Sequence, residues 1–180
     1  MDLDRIIQSR KSCRKFSSKK PDWRDIIQCI DSMRYAPMAG NNFSLKTVLV
    51  NEKDKINKIA KASQQDFINK SGYVLVVYSE PSRVKSNFGE RGEKYLAQQA
   101  GAAIQNFLLK VEEKGLSTCW IGHFVEDEIK SELKIPKTGK VEAIFPIGYS
   151  TGKIDPQRKT NLDSILYFNK SGERYMKGKK

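Results

Sequence analysis

Leu96-Ala97-Gln98-Gln99-Ala100-Gly101-Ala102-Ala103-Ile104-Gln105-Asn106-Phe107-Leu108-Leu109-Lys110-Val111, followed by Gly115-Leu116-Ser117-Thr118-Cys119-Trp120-Ile121-Gly122, is the stretch that decides the fold. Its first part is the longest helical signal in the chain. Leu96, Ala97, Ala100, Ala103, Ile104, Phe107, Leu108 and Val111 recur at helical spacing, which predicts a helix from about Glu93 to Lys114. Ala100 to Ala103 keep the middle of that helix small on every side. Small residues let another backbone come close, so the helix is expected to be a buried spine or a subunit contact. The glycine costs about 1 kcal/mol against alanine, which close packing can offset. Gly115 is the expected stop, and Ser117 to Gly122 then read as a strand running into a turn.

The same reading extends outward on both sides. Leu3, Ile6 and Ile7 share a face of a first helix, from Leu3 to Gln8. Asp22 is an N-cap with Asp25 three residues on, and Trp23, Ile26, Ile27, Ile30 and Met33 predict a helix from about Trp23 to Arg34, ended by Pro37. Leu45 to Val50 is a short strand. Ile56, Ile59, Ala60 and Phe67 line a third helix, stopped by Gly72. Tyr73-Val74-Leu75-Val76-Val77-Tyr78 is a continuous apolar run, the mark of a central strand covered on both faces. Ser79 to Gly92, with Pro81, Gly89 and Gly92, reads as a mobile loop. A short helix from about Glu126 to Leu133 and a strand from Val141 to Ile147 follow. Leu162 to Phe168 is a last strand or arm. With no strict βαβ rhythm, these elements predict a mixed sheet sandwiched by helices.

Composition bounds the function. The 180 residues are 38% hydrophobic and 30% charged, which suits one globular domain able to bury a core without staples. No apolar run approaches the roughly 20 residues that span a bilayer. Met1-Asp2-Leu3-Asp4-Arg5 is acidic and polar, unlike a signal peptide. Three widely spaced cysteines, Cys13, Cys29 and Cys119, suggest neither a disulfide framework nor a zinc site and fit a reducing cytoplasm. Net charge is +12, from 33 basic against 21 acidic residues. The excess is spread rather than gathered on a helix with interleaved aromatics, so it argues for attraction to phosphates or acidic ligands more than for nucleic acid.

The chemistry is narrowed by what is missing. His123 is the single histidine, and no serine or cysteine is marked as its nucleophilic partner. There is no CxxC, no GxxxxGK[ST] and no GxGxxG after a strand. What stands out is Arg10-Lys11-Ser12-Cys13-Arg14-Lys15-Phe16, four cations and a hydroxyl in seven residues. It is either a solvated basic turn or a set of donors for a phosphate. A chain with phosphate-type donors and little acid–base apparatus suits a borrowed cofactor.

Four segments now form a pattern in order. They are Arg10, Ser12, Arg14 and Phe16; Ala36-Pro37-Met38-Ala39-Gly40-Asn41; Ala102-Ala103-Ile104-Gln105-Asn106-Phe107-Leu108-Leu109 with Gly115 to Gly122; and Phe145-Pro146-Ile147-Gly148-Tyr149 with Arg158, Lys159 and Leu162 beyond. Together these resemble the signatures of the nitroreductase family of FMN-dependent oxidoreductases, over nearly the whole chain. The resemblance implies an α+β fold with a mixed, mainly antiparallel central sheet flanked by helices. It implies an intertwined homodimer, with one domain over residues 1–180 and residues 162–180 as an arm onto the partner.

For the site, the resemblance implies FMN held by Arg10, Ser12 and Arg14 at its phosphate and ribityl chain, with Lys11 contributing. Arg158 and Lys159 would close the same pocket. Pro37, Met38, Ala39 and Asn41 would lie along the ring from the other subunit, and Ile121, Gly122 and His123 would place main-chain groups near flavin N5. NADH or NADPH is the implied reductant, and a nitroaromatic, quinone or similar small molecule the acceptor. No side chain is marked as catalytic. His123 is the candidate proton donor, against its reading as a structural histidine. Asn41 also fits turn chemistry, and Cys119 a small core residue. No metal is implied. The chain departs from the family pattern at Met38, often serine, and at Phe43-Ser44-Leu45, often Q-P-W. Two alternatives stay open: a protein that stores or senses FMN without turnover, and a basic nucleic-acid-binding domain.

Overall fold

The computed structural model describes residues 2–152 and 158–176. The sheet has four strands, β1 (Leu45–Val50), β2 (Tyr73–Ser79), β3 (Ser117–Thr118) and β4 (Lys140–Gly148), in the order β1-β2-β4-β3 with each neighbouring pair antiparallel. The expected apolar run is therefore a central strand, paired to β1 on one side and β4 on the other. Its side chains alternate between two cores. Tyr73, Leu75 and Val77 pack with Ala143, Phe145 and Ile147 of β4 in one cluster, and Val74 and Val76 with Ile144 in the other. Because both faces are covered, the run stays apolar at every position instead of alternating with polar residues.

The helices are α1 (Leu3–Ser9), α2 (Trp23–Asp31), α3 (Lys53–Ala62), α4 (Ser82–Phe88), α5 (Arg91–Glu113) and α6 (Glu126–Leu133). Helices α2 and α5 cover the first face through Ile26, Cys29, Ala103, Ile104 and Phe107. The ring of Phe107 meets Phe145 edge-on, centroids 5.3 Å apart. Helices α3 and α6 cover the second face through Ile56, Ile59, Ala60 and Ile129. Asp22 caps α2 as expected, accepting from the Arg24 N–H at 2.9 Å. Asp25 does not complete a capping box. Its carboxylate pairs with Lys114 at the far end of α5, 3.1 Å away.

Several elements differ from the sequence reading. Residues 79–92 are not a loop: α4 forms there, with Val84 buried and Phe88 edge-on to Tyr95. Its polar surface hides the signal, and close contact with α5 supplies the stability. A Cβ at Gly92 would lie 2.9 Å from the Val84 carbonyl oxygen. Helix α3 stops at Ala62, where Gln64 takes a positive φ of 53° and a 3-10 turn, Asp66–Lys70, follows. Helix α2 likewise passes into a 3-10 turn at Ser32–Tyr35. Trp23 and Ile27, expected in the core, are about half exposed. Leu162 to Phe168 form no strand. A 3-10 turn spans Leu162–Ser164, and Leu162, Ile165, Leu166 and Tyr167 face solvent.

On α5 the small-residue patch is buried on one side only. Ala100 and Ala103 are in the core, but a Cβ at Gly101 would meet nothing within 4 Å. Among the described residues no close backbone approach occupies that side. Among the described residues no helix is long and apolar enough to cross a membrane.

Candidate functional site

The basic stretch is extended, not a turn. Helix α1 closes with the Arg10 N–H donating to the Ile6 carbonyl, and the chain then runs along the end of the sheet. Ser12 pairs in parallel with Thr118, and the Cys13 N–H donates to the Thr118 carbonyl at 2.8 Å. Phe16 pairs antiparallel with Ser150, the Ser17 N–H donates to Tyr149 at 2.8 Å and the Thr151 N–H to Lys15 at 3.0 Å. Cys13 and Phe16 point inward and are buried. Phe16 lies so close to Gly148 that a Cβ there would be 2.9 Å from its ring. With the inward positions held, Arg14 and Lys15 face outward, and Arg10, Lys11 and Ser12 are half-buried.

This seam has spare binding capacity. Arg10 and Arg14 make no ion pair among the described residues. The hydroxyl oxygens of Ser17, Thr118 and Ser150 are buried there without a hydrogen-bond partner among the described residues. A buried polar group left unpaired costs about 1–3 kcal/mol, so these three hydroxyls make the seam a locally costly place in the fold. Unpaired guanidinium groups beside hydroxyls suit an anion with several acceptor oxygens, such as a phosphate. Cys119 adjoins the same groups. Burial pushes its thiol up, while the Arg14 charge and a Ser12 hydrogen bond pull it back. It is a core thiol, as expected.

From Thr118 the chain leads to the second group of expected residues. Ile121 is buried and exchanges two 3.0 Å backbone hydrogen bonds with Ile144. Trp120 leans on Phe145 with its ring 5.8 Å away and its outer side exposed. Gly122 and His123 then turn outward. A Cβ at Gly122 would meet nothing within 4 Å, so main chain is openly presented there. Four residues of chain span at most about 14 Å, which keeps this open backbone near the seam.

The loop of Pro37, Met38, Ala39 and Asn41 is elsewhere. Ala39–Asn41 is a 3-10 turn in which Gly40 and Asn41 take positive φ, 57° and 55°. Buried Gln99 of α5 fixes it, accepting from the Ser44 N–H and donating to the Asn42 carbonyl, both at 2.9 Å. Phe88 covers Gly40, its ring 3.1 Å from where a Cβ would be. From Gln99 to the end of α5, before β3, is about 20 Å of helix. Within one chain the loop and the seam are thus attached to opposite halves of α5. Arg158 and Lys159 are exposed, and no hydrogen bond or ion pair joins them to residues 10–16 among the described residues.

Thr118, Ser150 and Gln99 escaped the sequence reading. Thr118 and Ser150 are polar residues at strand ends, a common pattern, and only their orphaned oxygens single them out. Gln99 is marked in the sequence by nothing beyond its being polar on an apolar helix face.

The fold and this site define a class with known members. The family model described as "Nitroreductase family" matches residues 7–70 and 57–149, and the chain belongs to that family. A nitroreductase family protein from Clostridium novyi NT, solved as a crystal structure, is 26% identical with a TM-score of 0.76 over 96% of both chains. The FMN-dependent nitroreductase of Clostridium difficile R20291 has the same fold, with a TM-score of 0.78 at 21% identity over 92% of this chain and 98% of that one. The iodotyrosine deiodinase of Thermotoga neapolitana is 23% identical over 189 residues, covering 89% of this chain and 94% of that protein.

Proposed function

We propose that this chain is an FMN-dependent NAD(P)H oxidoreductase that works as a homodimer. The observation that carries the reading is the seam: two guanidinium groups without carboxylate partners among the described residues, beside the half-buried Ser12 and a short way along the chain from the open backbone at Gly122. These residues fit a phosphate-bearing cofactor. Arg10, Ser12 and Arg14 would hold its phosphate and ribityl chain, with Lys11 beside them and Arg158 and Lys159 closing the pocket. Ile121, Gly122 and His123 would offer main-chain groups at the N5 edge. Pro37, Met38, Ala39 and Asn41 would reach the ring from a second copy, which accounts for their distance from the seam.

The chemistry a bound FMN supplies is hydride transfer, from a reduced nicotinamide through flavin N5 to a nitroaromatic, quinone or similar acceptor. The chain's part is to grip the phosphate, orient the ring and leave one face open to donor and acceptor in turn, which predicts ping-pong kinetics. No titrating side chain is required for that role, and exposed His123 acts through its backbone. On this reading residues 1–180 make one domain with 162–180 as an arm onto the partner, of which 177–180 lie outside the described residues. Three free thiols suit a cytoplasmic setting.

The test is purification without denaturant. The expected protein is yellow, with an FMN spectrum that bleaches under anaerobic NADH or NADPH. A colourless protein that ignores added FMN would overturn the reading. A yellow protein that neither nucleotide bleaches would be a flavin store or sensor instead.

A further inference from the structure

Between Ser9 and Pro21 the chain carries six cations and no carboxylate: Arg10, Lys11, Arg14, Lys15, Lys19 and Lys20. The proposed phosphate pocket uses the first three. Lys15, Lys19 and Lys20 are left over, and all three are exposed. Two of them are not simply waving in water. The Lys19 ammonium stands 4.8 Å from the centre of the Tyr149 ring, and that of Lys20 is 4.7 Å from the Tyr73 ring. Neither has an ion-pair partner among the described residues.

The two rings are neighbours. Tyr73 pairs with Ile147, and Tyr149 lies two residues further on, a diagonal spacing of roughly 7–8 Å. The backbone beneath is fixed by the Ser17–Tyr149 and Thr151–Lys15 hydrogen bonds. Two ammonium groups are thus held on neighbouring aromatic rings, and Lys15, exposed, comes from the backbone that pairs with Thr151 just past Tyr149. Holding lysines in place lowers the entropy lost when an anion arrives. Lysine, a compact point charge with rotating donors, suits a freely turning phosphate monoester.

We infer that Lys15, Lys19 and Lys20 recognise the 2′-phosphate that distinguishes NADPH from NADH, so that this chain prefers NADPH. The inference rests on the function proposed above, and it names the reductant for the same site. The pyrophosphate is common to both nucleotides and does not discriminate between them. The 2′-phosphate adds close to two negative charges, and a strip of one sign acts on that difference in both capture and binding. A solvated basic edge without a built purpose is the competing account, and it predicts no preference between two adenosine phosphates of equal charge.

The test uses flavin-loaded protein at low ionic strength. Calorimetry compares adenosine 2′,5′-bisphosphate with adenosine 3′,5′-bisphosphate and with inorganic phosphate. Steady-state kinetics compare kcat/KM for NADPH and NADH. The 2′,5′ compound is expected to bind about tenfold tighter than the 3′,5′ compound, and NADPH to exceed NADH by about tenfold. Both ratios should collapse toward one in Lys19→Gln/Lys20→Gln, and the NADPH advantage should shrink in wild type at about 1 M salt, where the screening length is about 3 Å. Lys61→Gln, an exposed lysine on α3, should keep both ratios. If the double variant fails to fold, the two single variants and the salt series decide.

Equal use of NADH and NADPH by the wild type, or ratios unmoved by the lysine variants, would overturn the inference. So would equal binding of the two bisphosphates. A protein reduced by neither nucleotide would defeat the proposed function, and the bisphosphate binding would still decide the role of the lysines.

Discussion

Arg10 and Arg14 share a proposed task, because an extended backbone with Cys13 and Phe16 turned inward leaves their guanidinium groups without an ion-pair partner among the described residues. A charge-assisted hydrogen bond to a phosphate contributes about 1.5–3 kcal/mol. Arg10→Ala and Arg14→Ala are each expected to weaken FMN binding by roughly tenfold or more, with the thermal midpoint of the apoprotein little changed. The ratio of flavin to protein absorbance after gel filtration measures this, and unchanged occupancy in both would refute the phosphate assignment. Cys29 carries a prediction of a different kind. Burial between α2 and the core pushes its thiol from 9.0 up to about 12, against the opposing pull of Lys114. The folded state therefore keeps a proton that the unfolded chain releases above pH 9.0. The stabilisation is complete below that pH and is lost as pH rises toward 12. Urea midpoints should fall above pH 9 in the wild type and fall less steeply in Cys29→Ala.

At the scale of elements, the decisive contact joins the 12–17 segment to the ends of β3 and β4. Phe16 lies against Gly148, and there is no room for a methyl group between them. Gly148→Ala should destabilise the fold by about 1–3 kcal/mol, as overpacking does, and should lower flavin occupancy if the segment proposed to hold the phosphate moves with Phe16. Chemical denaturation and the same absorbance ratio read the two effects. Gln99 does for the Pro37–Asn41 loop what Phe16 does for the seam. Gln99 lies in the first half of α5 and Phe16 against Gly148 at the end of β4, so a site using both loops needs either a large movement or a second chain.

The whole molecule leaves apolar surface uncovered. Leu162, Ile165, Tyr175 and Met176 are more than half exposed, as are Leu3 and Tyr35 at the other end of the chain. The open side of α5 at Gly101 adds to it. Exposed apolar side chains gathered on one segment, as at Leu162 to Met176, suit an interaction surface. The full chain is expected to sediment as a dimer, and a chain ending at residue 161 to dissociate at concentrations about tenfold higher or more, with flavin lost in parallel. A monomer with full flavin content would remove the second copy from the proposed site.

How much was legible follows from where the physical signal lies. The helix period of Leu96 to Val111, the all-apolar run of Tyr73 to Tyr78 and the Asp22 cap act through near neighbours, so the spine, the central strand and the start of α2 could be read directly. The segment of α4 could not, because its stability comes from Gly92 and Tyr95 across a fold-back rather than from its own polar residues. The third helix was read too long because the positive φ of Gln64, which ends it, is allowed to few residue types and announced by none. At the site, the sequence by itself determined which residues carry charge and hydroxyls and, through four motifs in order, the family. Only the tertiary structure decided that Arg10 to Phe16 is extended rather than a turn, that Thr118 and Ser150 are left unpaired beside it, and that Pro37 to Asn41 are anchored apart from it. Those outcomes depend on pairings between residues from 55 to more than a hundred positions apart, which local preferences do not encode.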